Sequence, residues 1–207
     1  MSDNTIVYSK QPGGQRIPAT VRLDWRPDGS IRPRGYWTPD GSRYDVTHIH
    51  ETTPLAFLRD KGEGLRVKVQ AELTEMPDAN NNDDLLHARR ESYLYFEDNR
   101  FCGRNMVDGR YGHEGKAFIP VTLDVFPDGG YELIGFTVKD TRYEVDKTVA
   151  IEAKGSYHAG GVGLCHRVMA REAGADGACR EAALFFEINK WFVSVKPSCN
   201  PPQDSLQ

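Results

Sequence analysis

Apolar and polar residues alternate along residues 17–25, with Ile17, Ala19, Val21, Leu23 and Trp25 in phase, until Pro27-Asp28-Gly29 interrupts the pattern. A period of two is that of a β-strand with one face in a core. The pattern returns at Ile119, Val121, Leu123 and Val125 and ends at Pro127-Asp128-Gly129. Asp-Gly suits a tight hairpin because glycine accepts positive φ and aspartate tolerates it. Further strands are predicted at 31–37 and 131–138, then from Arg43-Tyr44 and Arg142-Tyr143 onward. Three more pairs follow at 65–73 and 164–170, at 92–97 and 182–188, and at 100–102 and 190–195. Helical character is confined to 82–90, with a short counterpart at 174–180.

The two series repeat one another. Ile17-Pro18 matches Ile119-Pro120, Arg43-Tyr44-Asp45-Val46 matches Arg142-Tyr143-Glu144-Val145, and Arg66-Val67 is aligned with Arg167-Val168. Tyr93-Leu94-Tyr95-Phe96-Glu97 matches Ala183-Leu184-Phe185-Phe186-Glu187, and Arg100-Phe101 matches Lys190-Trp191. Matches that keep one order through the chain point to a tandem duplication. The units are placed at 15–103 and 116–197, with a Gly-rich polar linker at 104–115 and a flexible tail at 198–207. Six short strands in under about 90 residues must curl to bury one face. The predicted fold is therefore all-β: two small SH3-like or partly open barrels related by a pseudo-twofold, each around its own interior.

Composition narrows the function classes. The chain has 207 residues, 39% hydrophobic and 27% charged, which suffices for a core. With 26 Lys+Arg against 30 Asp+Glu the net charge is −4, which argues against a general nucleic-acid coat but not a local basic patch. No apolar run reaches about 18 residues, and Met1-Ser2-Asp3-Asn4 carries no basic segment followed by an apolar stretch, so secretion is not expected. Cys102, Cys165, Cys179 and Cys199 form no C-x-x-C pair, so reduced thiols in the cytoplasm are expected. His48, His50, His158 and Cys165-His166 are the potential metal ligands, but zinc needs three or four groups converging. Neither a metal nor a cofactor is assigned.

The order Arg-Tyr-x-Val, Arg-Val, an apolar strand, then a basic residue and Trp resembles small uncharacterised bacterial β-domains, some encoded beside DNA-repair polymerases. Arg142, Tyr143, Val145, Arg167, Val168, Leu184, Phe185 and Trp191 carry the resemblance in the second unit. Arg43, Tyr44, Val46, Arg66, Val67, Leu94, Tyr95 and Phe101 carry it in the first, where Phe101 departs from the Trp. The resemblance implies a fold and brings no catalytic residues.

Catalytic patterns are missing. Gly160-Gly161-Val162-Gly163 lacks the Lys-Ser/Thr of a phosphate loop, and no serine stands in a nucleophile elbow. One segment stands out: six arginines and three acids lie between Arg16 and Arg43, interleaved with Trp25, Tyr36 and Trp37. Arginine beside exposed aromatic groups grips acidic protein surfaces or nucleic acid. Arg22, Arg26, Arg32, Arg34, Tyr36 and Trp37 are the candidate binding residues. Tyr36 and Trp37 are adjacent, so in a regular strand they point to opposite faces. The recurring Arg66 and Arg167 are expected to form ion pairs, with Glu51 and Glu152 among the available partners. The leading reading is a non-enzymatic binding or adaptor protein with a protein partner and no membrane contact. A nucleic-acid accessory protein is the alternative, and a small hydrolase or metal enzyme sited between the units comes third.

Overall fold

The computed structural model describes residues 6–10, 14–28, 30–56, 63–77, 85–97, 119–128, 130–155, 162–175, 177–187 and 190–195. The first half carries β1 (Ile6–Lys10), β2 (Arg16–Pro18), β3 (Thr20–Trp25), β4 (Ile31–Trp37), β5 (Arg43–Ala56), β6 (Glu63–Glu75) and β7 (Arg89–Glu97). The second half carries β8 (Val121–Val125), β9 (Tyr131–Val138), β10 (Thr141–Gly155), β11 (Val162–Glu172), β12 (Arg180–Glu187) and β13 (Lys190–Val195). The protein is all-β. Among the described residues there is no α-helix, and no helix is long and apolar enough to cross a membrane.

The strands form a single antiparallel sheet in the order β13-β12-β11-β10-β9-β8-β3-β4-β5-β6-β7-β1-β2, with no closure of the order on itself. Its middle is a seam where β3 and β8 pair with Leu23 opposite Leu123. The halves have matching irregularities. A shift between Arg22 and Leu23 against β4 has its counterpart between Thr122 and Leu123 against β9. Shifts at Val46/His48 and Ile49/Glu51 have counterparts at Val145/Lys147 and Thr148/Ala150. Bulges raise local twist and bend the long strands that carry them.

The bending is measurable. Tyr36 on β4 and Ser92 on β7 are three strand spacings apart, about 14 Å in a flat sheet. Their hydroxyl oxygens are 2.7 Å apart. Trp25 on β3 and Phe186 on β12 would be about 24 Å apart in a flat sheet. Their rings meet edge to face with centroids 5.4 Å apart. The sheet thus curls until β3, from the first half, closes against β12 in the second. The core is accordingly one cluster, running from Val67, Val69 and Leu94 through Val21, Leu23, Val121 and Leu123 to Val168 and Leu184. This corrects the expectation of two separate interiors: edge-to-edge pairing of β3 with β8 makes their apolar faces one stripe.

Other expectations are adjusted by the register. The strands at 31–37, 131–138 and 190–195 match β4, β9 and β13. The alternating run at 17–25 is divided into β2 and β3. The segment 82–90 is not a helix where it is described: 85–88 form a turn and Arg89 opens β7. The outer edge of β7 is held by β1, with Tyr8 opposite Tyr95. The strand predicted at 100–102 lies outside the described residues. Pairing also moves the alignment of the fourth strands. Thr52 faces Val67 just as Ile151 faces His166, so Val67 corresponds to His166, and Arg66 to Cys165.

Close backbone approach explains two glycines. A Cβ on Gly35 would stand 2.9 Å from the Tyr44 carbonyl oxygen, and one on Gly135 would stand 2.7 Å from that of Tyr143. Beside them Tyr36 stacks on Tyr44, and Phe136 on Tyr143, both at an interplanar angle of 14°.

Candidate functional site

The face of β3, β4 and β8 turned away from the core holds the Arg/Trp segment. Val21, Leu23 and Trp25 point inward, so Arg22 and Asp24 point outward. Across the seam Arg22 meets Asp124 with both nitrogens of its fork, Nε to Oδ1 and Nη2 to Oδ2, each 2.7 Å. Asp124 lies opposite Glu132 on β9, so Arg22 offsets a like-charge cross-strand pair. The Arg22 guanidinium is raised further above its ordinary pKa, first by the Asp124 hydrogen bond and then by the charges of Asp124, Asp45 and Glu132. One residue on, Asp24 accepts from Thr122 at 2.9 Å and from Arg34 at 2.6 Å.

Trp37 sits at the centre of this face, half-buried. The guanidinium carbon of Arg22 is 5.0 Å from its ring centroid and that of Arg43 is 5.4 Å away. Arg43 in turn donates to Asp45 at 3.1 Å and to Glu75 at 2.8 Å. Two cations close to one indole ring are attracted to its π-system and help fix its position.

Of the residues singled out in the sequence, Arg22, Arg34 and Trp37 converge here, with Arg22 and Arg34 committed to carboxylates. Arg26 and Arg32 are exposed and form no ion pair among the described residues. Tyr36 is the correction. It is fully buried, its hydroxyl is hydrogen-bonded to Ser92 and accepts from Arg90 at 3.3 Å, and it belongs to the core. Thr122 and Asp124 join the face only through the pairing of β3 with β8, which has no local signal in the sequence, while Asp45 and Glu75 come from β5 and β6. Arg66 and Arg167 do reach Glu51 (3.3 Å) and Glu152 (4.0 Å), and Arg167 is closer still to Glu181 (2.9 Å).

The metal candidates do not converge among the described residues, where no group of three or more His, Cys, Asp or Glu is arranged to hold an ion. The His48 and His50 rings are 4.7 Å apart on an exposed stretch of β5, and His50 lies 3.9 Å from Glu91. Cys165 and His166 are both buried and, as neighbours on β11, point to opposite faces. Cys179 is exposed and bonds Asp146, while His158 lies outside the described residues.

Truncating the seam fork has a readable effect. Arg22→Ala leaves Asp124 facing Glu132 without its cation and is expected to destabilise the fold by about 2 kcal/mol in urea unfolding. Asp124→Ala should be milder when added to Arg22→Ala than when made alone, because the pair is coupled. A loss below about 0.5 kcal/mol for Arg22→Ala would place the fork among ordinary surface pairs.

Comparison with known proteins gives no match to any family model, curated protein or solved structure.

Proposed function

We propose that this protein is a non-enzymatic binding or adaptor protein that docks a partner protein on the outer face centred on Trp37. The chain is read as a tandem duplication of one small, partly open SH3-like unit, the copies related by a pseudo-twofold through the Leu23–Leu123 pair. Shared bulge positions, the paired glycines and the stacked ring pairs support that reading. The resemblance to small bacterial β-domains and the reduced, cytoplasmic setting belong to the same proposal.

The observation that carries the binding reading is charge commitment around an anchored indole. Arg22, Arg34 and Arg43 are all engaged by carboxylates of their own face, so the surface offers a rigid Trp framed by both signs of charge. Protein interfaces are enriched in Trp and Arg at their energetic centres. Phosphate backbones need cations free to displace counterions, and only Arg26 and Arg32 of the candidate set meet that need.

Capture from the native cell with wild-type bait and with Trp37→Ala bait tests the reading. The variant should lose about 2 kcal/mol of affinity for the retained partner, near thirtyfold. Gel shifts with single- and double-stranded DNA at about 50 and about 200 mM salt test the alternative. Salt-sensitive DNA binding removed by Arg26→Ala plus Arg32→Ala, with no protein lost on Trp37→Ala, would favour the nucleic-acid reading.

A further inference from the structure

The interior of the second half contains a polar pair where the first half is apolar. His166 on β11 occupies the position of Val67, and Tyr131 on β9 the position of Ile31. His166 is 1% exposed. Its Nε2 is 3.0 Å from the Tyr131 hydroxyl, with ring centroids 5.7 Å apart. Its cross-strand partners are Ile151 on β10 and Leu184 on β12. Of these facing groups from β9, β10 and β12, Tyr131 is the titratable one. Cys165 and Arg167, its neighbours on β11, belong to the opposite face. The fold does not require an imidazole there, because valine fills the same register position in the first half.

We propose that the Tyr131–His166 pair is an acid-sensitive latch that holds β11 and β12 in the curled sheet at neutral pH and releases them when the imidazole takes up a proton. The neutral imidazole shares one hydrogen bond with the tyrosine hydroxyl through Nε2. A protonated ring carries N–H at both nitrogens and adds an ion to an apolar interior, a cost that one hydrogen bond to a neutral hydroxyl does not offset. Released strands would uncover Leu184 and Phe186, and with Phe186 the contact to Trp25.

The direction and window follow from burial, which lowers the pKa of His166 to about 4 against 6.5 in the open chain. Between these values the open form binds more protons than the closed one, so opening becomes easier as pH falls from 6.5 and levels off below 4. Stability contributed by the neutral ring is complete above 6.5.

Residue-resolved hydrogen exchange at pH 7.5 and pH 4.5 tests the latch on the full chain. Protection factors of β11 and β12 amides should fall roughly 70-fold through this group. The double variant His166→Val with Tyr131→Ile, which installs the first half's residues, should remove that part of the fall. Equal losses in the two proteins would overturn the proposal. An NMR titration of the wild-type His166 ring is decisive even if the double variant does not fold. A midpoint well below 6.5, moving together with β11 and β12 signals, supports the latch, and an ordinary midpoint overturns it.

Discussion

Trp25→Ala is expected to destabilise the protein by about 4 kcal/mol, the cost of removing a large ring from a packed interior. Trp25 is 4% exposed and closes edge to face on Phe186. Its loss opens a void between β3 and β12, so the second half is damaged by a substitution in the first. Urea unfolding followed by circular dichroism would give the size of the effect, and a lower midpoint at unchanged slope would show that stability, and not compactness, has changed. Trp25→Phe retains much of the buried area and should recover more than half of the loss.

The second large effect concerns Gly135. An alanine methyl there would lie 2.7 Å from the Tyr143 carbonyl oxygen, which is backbone and cannot swing aside. Either β9 moves away from β10 or the Phe136–Tyr143 stack is lost, and the expected penalty is about 3 kcal/mol. Gly35→Ala should behave alike but more mildly, since its methyl would lie 2.9 Å from the Tyr44 oxygen. Gly177→Ala is the control. Nothing lies within 4 Å of a Cβ there, so its unfolding midpoint should stay within about 0.5 kcal/mol of wild type. If Gly135→Ala is as silent as Gly177→Ala, the close approach of β9 and β10 is wrong.

How much of this was legible in the sequence depends on whether a feature is local. Alternation and Asp-Gly turns are local, and they located β4, β9 and β13 because a strand's period and its turn chemistry lie within ten residues. β1 carries no such signal, because five residues, IVYSK, offer too little alternation to mark a strand. The seam escaped because nothing in β3 names β8 as its neighbour. Only the register, Arg22 opposite Asp124 and Asp24 opposite Thr122, exposes the charge complementarity. The same gap hides the place of His166. Matching Arg66-Val67 to Arg167-Val168 by letter sets it against Leu65, whereas the bulges on β5 and β10 fix it to the core position of Val67. Of the candidate face, Arg22, Arg34 and Trp37 were legible from composition. Their acidic partners were not, and those partners change the chemistry of the face from phosphate-seeking to internally neutralised.

Native-state hydrogen exchange at neutral pH, comparing the amides of β3 with those of β8, tests most directly whether the halves share one core across the seam. Both strands should open with one common free energy, and Trp25→Ala should lower it equally in both. If β3 amides lose protection while β8 amides keep theirs, each half stands on its own interior and the continuous seam described above is wrong.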